Sequence, residues 1–170
     1  GEQPKDRAYV KLNANENPYP PAPAVQRAIR DFDASALRLY PDPDARELRR
    51  AIASTLGDEV TEEMVFVGNG SDEVLSFVFY TFFDDDAPLV FPEHTYSFYP
   101  VYAGYYDIPV SRAPLAPDYS VDVDALLAKK SSGIIFANPN APTGISLPLA
   151  EVRRLLDSYP RDRAVVVDEA

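Results

Sequence analysis

The sequence contains no cysteine, which removes disulfides, thiolate nucleophiles and zinc–thiolate centres together. It carries a single histidine, His94, so a metal site built from several histidines is impossible. No apolar stretch approaches the roughly 20 residues that span a bilayer. The opening Gly1-Glu2-Gln3-Pro4-Lys5-Asp6 has no apolar signal core either. Positive charge is scarce: 16 Lys and Arg face 27 Asp and Glu, a net charge of −11. Such a surface repels nucleic acid and anionic membranes, so neither is an expected partner. The pattern Gly-x-x-x-x-Gly-Lys-Ser/Thr is absent, which excludes a P-loop nucleotide site. A soluble, cytoplasmic protein is expected.

Hydrophobic residues make up 46% of the 170 and charged residues 25%, the profile of an ordinary globular chain with a real core. Residues 1–20 show little periodicity and end in the turn-rich Asn13-Ala14-Asn15-Glu16-Asn17-Pro18-Tyr19-Pro20, which reads as an irregular arm. Prolines 21 and 23 suit a first helical turn, followed by Ala24, Val25, Ala28 and Ile29 at helical spacing. Tyr40-Pro41-Asp42-Pro43 breaks the chain again. Asp44 caps a second predicted helix, with Glu47 as its capping-box partner, Leu48, Ile52 and Leu56 on one face, and Gly57 as the stop.

From there strands and helices alternate. Strands are predicted at Val65-Phe66-Val67, at Pro88 to Phe91, at Ile108-Pro109-Val110 (demoted to an edge or an end by its proline), at Gly133 to Ala137 and at Ala164 to Val167. Helices are predicted from Val74 to Phe83, Tyr96 to Tyr105, Val123 to Lys130 and Leu149 to Tyr159. Short strands separated by helices imply an α/β fold, a mostly parallel sheet flanked by helices.

Four places could carry chemistry. Gly68-Asn69-Gly70-Ser71-Asp72-Glu73 lies between a strand and a helix, where it is either a phosphate cradle or a tight turn with a helix cap. Asn138-Pro139-Asn140-Ala141-Pro142-Thr143-Gly144 follows another strand as a rigid polar loop or a plain turn. Asp168 ends the Val165-Val166-Val167 strand, where open α/β sheets bind ligands; the alternative is a solvated chain end. The aromatic group Tyr96, Phe98, Tyr99, Tyr102, Tyr105 and Tyr106 is mostly core or interface, but a tyrosine beside a strand end can stack on a planar ring. His94 suits a surface or hydrogen-bonding role. Asp84-Asp85-Asp86 reads as a solvated helix end, and Asp118, Asp122 and Asp124 lack the glycine and distal glutamate of a calcium loop, so no metal is expected. Together these places ask for a ligand with a phosphate, a flat ring and a positive ring nitrogen, as pyridoxal phosphate has.

The series Leu12-Asn13-Ala14-Asn15-Glu16-Asn17-Pro18, Tyr40-Pro41-Asp42-Pro43, Gly70-Ser71-Asp72-Glu73, Asn138 to Gly144 and Asp168-Glu169-Ala170 resembles the amino-terminal half of histidinol-phosphate aminotransferases, which are fold-type-I pyridoxal phosphate enzymes. The resemblance implies that residues 1–35 form an arm and first helix. It makes residues 36–170 part of the large cofactor-binding domain, incomplete at its carboxyl end. By the same resemblance Gly70, Ser71 and Asp72 cradle the cofactor phosphate, Tyr96 stacks on the ring, and Asp168 pairs with the protonated ring nitrogen. Tyr40 reaches the partner's cofactor phosphate in a homodimer, and Asn15, Glu16 and Asn17 lie near the substrate, an amino acid or keto acid. One position departs from relatives that carry asparagine directly before Pro-Thr-Gly: here it is Ala141, leaving Asn140 or Asn138 for the ring hydroxyl.

The implied reaction moves an amino group between histidinol phosphate, or an aromatic amino acid, and 2-oxoglutarate. A threonine-phosphate decarboxylase-like enzyme shares the early motifs, and a non-catalytic binding or dimerisation module would share the fold. The reaction needs a lysine bonded to the cofactor, which the resemblance puts after the Asp-Glu-Ala strand. The lysines present are Lys5, Lys11, Lys129 and Lys130, none at a strand end. The 170 residues alone are therefore expected to be inactive. Borohydride treatment of this chain with pyridoxal phosphate should leave no lysine modified at one defined position, as read by peptide mass spectrometry.

Overall fold

A computed structural model describes residues 4–11, 16–83 and 87–170. Asn15 and the Asp84-Asp85-Asp86 run lie outside the described residues. Two compact units are present, Gly1–Ala45 and Arg46–Ala170.

In the first unit, helix α1 spans Pro23–Asp31 with a proline in its first turn, where the missing N–H costs nothing. A 3-10 turn follows at Ala34–Arg38, capped by the Asp33 carboxylate, which accepts from the Ser35 amide at 2.9 Å. No residue of either element is buried.

The second unit opens with α2, Arg46–Leu56. Gly57 ends it at φ +110°, a left-handed conformation that a side chain would strain. Ala53 is the buried residue of this helix, whereas Leu48 and Leu56, expected on its inner face, are exposed. Arg49 reaches from α2 to the following segment and donates to the Glu62 and Val65 carbonyl oxygens at 3.0 and 2.8 Å. That contact explains one correction. Val65-Phe66-Val67, expected as a strand, lies outside the sheet. Its first carbonyl is taken by a side chain, and Phe66 is exposed, meeting Phe77 edge-on at 5.6 Å. β-branched composition marks an extended backbone, not a pairing partner.

Helix α3 runs Ser71–Phe82, and four strands follow: β1 Leu89–Pro92, β2 Val110–Ala113, β3 Gly133–Ala137 and β4 Ala164–Asp168. Helices α4 (Tyr99–Tyr105), α5 (Val123–Leu127) and α6 (Leu149–Ser158) connect them. All pairings are parallel and the order is β2-β1-β3-β4. The predicted parallel α/β sheet is thus observed.

Parallel strands covered on both faces must be apolar on both, and β1 and β3 are buried throughout. Alternate residues separate into two cores. Val90, Ile134 and Phe136 pack with Leu126 of α5 and Leu155 of α6. Leu89, Phe91 and Ile135 pack with Leu75 and Phe79 of α3 and with Tyr99 and Ala103 of α4. No helix among the described residues is long and apolar enough to cross a membrane.

At the start of β3, a Cβ on Gly133 would clash with the edge of the Phe83 ring and lie 3.1 Å from the Ala164 carbonyl oxygen. Gly133→Ala should therefore cost about 1–3 kcal/mol by overpacking. Gly104→Ala in α4, which meets nothing within 4 Å, should be neutral or stabilising. Urea midpoints at unchanged slope would measure both.

Candidate functional site

From β1 the chain moves outward to β2, then returns across β1 to place β3 on its other side. The order therefore reverses between β1 and β3, and the crevice beyond their carboxyl ends is where open α/β sheets bind ligands. The Glu93–Tyr96 turn leaves β1 there, and the Asn138–Gly144 loop leaves β3. Asn140 joins them: wholly buried, it donates its Nδ2 to the His94 carbonyl oxygen at 2.9 Å. Its Oδ1 is buried and has no hydrogen-bond partner among the described residues, and the same holds for the nearby Thr95 hydroxyl. Buried polar atoms are nearly always partnered, so an orphaned acceptor here calls for a donor from outside the chain.

Asn138 is differently committed. Its side-chain amide pairs with the Leu147 main chain, accepting from N at 2.8 Å and donating to O at 3.2 Å. One Nδ2 hydrogen and one Oδ1 lone pair are thereby engaged in shaping the loop.

Across the crevice stands the amino end of α3. Gly70 precedes the helix at φ +87°, and the first-turn amides of Ser71, Asp72 and Glu73 have no intrahelical acceptors. These amides and the helix dipole favour an anion. Glu73 turns back to accept from the Asn69 amide at 2.5 Å. A Cβ on Gly68 would come within 3.0 Å of Glu73 Oε2 and Val74 Cγ2, which keeps that position small.

Asp168 closes the third side. Its main-chain oxygen accepts from the Asn138 amide at 2.8 Å, extending the β3–β4 ladder by one rung. Its Oδ2 accepts from the Tyr99 hydroxyl at 2.7 Å and its Oδ1 from the Ala170 amide at 3.1 Å. Among the described residues no lysine or arginine forms an ion pair with it. The half-buried carboxylate is held by neutral donors, which orient it without pairing its charge.

Tyr96 and Tyr102 both donate to Asp72 Oδ1, at 2.9 and 3.1 Å. Burial raises the Tyr96 hydroxyl above its ordinary range, with Asp72 adding to the effect. For Tyr102 the same causes push it up to about 12. Tyr96 also senses the Asp168 charge, so both carboxylates act on one ring.

The predicted residues Gly70, Ser71, Asp72, Tyr96, Asn140 and Asp168 thus belong to the second unit and to its strand and helix ends. Tyr40, Glu16 and Asn17 belong to the first unit. There Tyr40 is fully exposed, Glu16 pairs with Lys11 at 2.5 Å, and Asn17 caps a turn through the Tyr19 amide at 2.9 Å. His94 contributes its carbonyl. Sequence reasoning passed over the hydroxyls of Tyr99 and Tyr102, treating both rings as packing. No local pattern signals them, since Tyr99 and Tyr102 lie in α4 and their partners lie 69 and 30 residues away.

A family model described as aminotransferase class I and II matches residues 7–170. The histidinol-phosphate aminotransferase of Syntrophus aciditrophicus (strain SB) is 53% identical over 174 residues, covering 100% of this chain and 48% of that protein. That of Acetobacter pasteurianus is 53% identical over 170 residues, covering 100% and 47%. Among solved structures, histidinol-phosphate aminotransferase from Sinorhizobium meliloti in complex with pyridoxal-5'-phosphate is 28% identical with a TM-score of 0.83, covering 92% of this chain and 43% of that one. The chain spans about half the length of the curated relatives it matches. The resemblance read from the motifs is borne out.

The raised Tyr102 hydroxyl sets an alkaline limit. Below its ordinary value of 10.0 the proton is held in folded and unfolded chains alike, so the bond to Asp72 contributes in full. Between pH 10.0 and about 12 only the folded chain holds the proton, and the contribution is lost as pH rises. Tyr102→Phe should therefore flatten the fall in stability across that window, as measured by denaturant unfolding at a series of alkaline pH values.

Proposed function

The chain belongs to the class I and II aminotransferase family, and we propose that it forms the cofactor-binding part of a pyridoxal phosphate-dependent aminotransferase. The proposed reaction transfers an amino group between histidinol phosphate, or an aromatic amino acid, and 2-oxoglutarate. Residues 1–35 then act as arm and first helix, and residues 36–170 as part of the large domain. The parent is a cytoplasmic homodimer.

One observation carries this reading: the Asp168 carboxylate at the strand end, bound by neutral donors alone. A protonated ring nitrogen supplies the missing cation. Two further features fit the same group. The first-turn amides of α3 after Gly70 suit a phosphate, and the orphaned Asn140 Oδ1 suits the proton of a ring hydroxyl. Asn140 takes that role in place of the asparagine absent at Ala141.

The residues divide the work. Gly70, Ser71 and Asp72 bind the phosphate through main-chain N–H groups at a helix end, which fixes the ligand's position. Tyr96 covers one ring face and excludes water from it. Asp168 holds the proton on the ring nitrogen, because its negative charge stabilises the protonated form. When bound, pyridoxal phosphate supplies an electron sink for breaking bonds at the amino-bearing carbon. Tyr40 is assigned to the phosphate of a partner subunit's cofactor, and Asn15, Glu16 and Asn17 to the substrate.

The covalent lysine is assigned to residues outside these 170. Lys129 and Lys130 lie before Ser131-Ser132 and the start of β3, at the opposite ends of the strands from Asp168. Lys5 and Lys11 belong to the first unit, where Lys11 is paired with Glu16.

The test is an assay of the full-length protein with histidinol phosphate and 2-oxoglutarate, scored for glutamate, and in parallel with threonine phosphate, scored for carbon dioxide. Glutamate formation is expected. Carbon dioxide release from a phosphorylated amino acid without glutamate would indicate a decarboxylase, and neither product a binding module. Asp168→Asn should lower kcat/KM by roughly a hundredfold or more, since the ring nitrogen then loses the negative charge that keeps it protonated.

A further inference from the structure

Tyr99 is wholly buried, yet its hydroxyl lies 2.7 Å from a carboxylate oxygen at the proposed cofactor site. A buried tyrosine needs some partner for its hydroxyl, and a neutral one suffices. Tyr159 in the other core shows this ordinary solution, sharing a hydrogen bond of 2.7 Å with the buried Ser131 hydroxyl. Tyr99 instead bonds to Asp168.

We infer that Tyr99 is a positioning residue for Asp168: its hydroxyl fixes the rotation of the carboxylate that holds the proton on the cofactor's ring nitrogen. The inference rests on the proposed function above.

Packing makes Tyr99 a firm anchor. Its ring lies 6.3 Å from Phe79 at 34° and 6.1 Å from Phe91 at 59°, so α3 and β1 both fix its place. Burial, reinforced by Asp168, drives its hydroxyl far above the ordinary range, so it keeps its proton and always donates. The donation occupies Oδ2, and the Ala170 amide occupies one side of Oδ1. With both oxygens tethered, the carboxylate cannot swing about its Cβ–Cγ bond, and its remaining lone pairs keep one direction. Tyr99 also meets Tyr96 edge-on at 5.5 Å and 79°, so the residue that orients the carboxylate also braces the ring platform.

A double-mutant cycle in the full-length protein separates positioning from packing. Apoprotein of the wild type, Tyr99→Phe, Asp168→Asn and the double variant is titrated with pyridoxal phosphate, and Kd is read from quenching of tyrosine fluorescence. Tyr99→Phe should raise Kd by about tenfold, the scale of one hydrogen bond to a charged group. Asp168→Asn should raise it further, and adding Tyr99→Phe to Asp168→Asn should change nothing more. Tyr159→Phe, which removes a buried hydroxyl elsewhere, should lower the melting temperature and leave Kd unchanged.

A Tyr99→Phe variant that folds, by near-UV circular dichroism, and binds with wild-type Kd would overturn the inference. So would an equal effect of Tyr99→Phe in both backgrounds, which would make Tyr99 a core residue only. If Asp168→Asn itself leaves Kd unchanged, the cofactor reading of the site fails, and the inference with it.

Discussion

The site depends on the parallel pairing of β3 with β4. Five residue pairs from Gly133↔Ala164 to Ala137↔Asp168 set that register, and the Asn138 amide adds a further bond to the Asp168 oxygen. A slip of one residue would turn the Asp168 side chain to the opposite face of the sheet. It would then point away from Tyr99. Each face of β4 has its own core to fill, Val165 and Val167 on one side and Ala164 and Val166 on the other. Two cores that share no residue thus hold one carboxylate in place.

The charge arrangement follows a single pattern. Asp72 and Asp168 each accept hydrogen bonds from tyrosine hydroxyls. Hydroxyl donors orient a carboxylate without neutralising it, unlike a paired lysine or arginine. The negative charge stays available to a cationic ring, while the amides of α3 supply positive potential for a phosphate. A zwitterionic ligand with its charges at opposite ends suits that field better than a simple anion or cation.

Much of this was legible in the chain itself. The β1, β3 and β4 segments were readable because each is a short apolar run bounded by breakers. The glycine after α2 was readable from helix-end chemistry, whereas α3 begins at Ser71, three residues before the expected start, with Gly70 at its cap and no side-chain cap bond. Val65-Phe66-Val67 misled because composition reports that a backbone is extended, while pairing needs a neighbour, and here Arg49 meets its first carbonyl instead. Leu48 and Leu56 misled because helical spacing identifies a stripe without showing how deeply it is covered. At the site, Asp168 and the Gly70 turn were marked by position at the end of an element. The Tyr99 and Tyr102 hydroxyls were not, since a hydrogen bond spanning 69 residues, as between Tyr99 and Asp168, leaves no local pattern. Asn140 was one of two candidates at its loop, and its buried, unpartnered Oδ1, beside the pairing of Asn138 with Leu147, favours it.

The bond from Asn140 to the His94 carbonyl also bears on motion. It fastens the middle of the loop after β3 to the turn after β1, two segments that chain connectivity alone would let fluctuate separately. Local opening releases backbone in cooperative blocks. This cross-tie makes the two segments one block, with the Asn140 amide as its latch. Loops that carry function are commonly the loosest parts of a fold. In this crevice the cross-tie works against separate opening of the two loops.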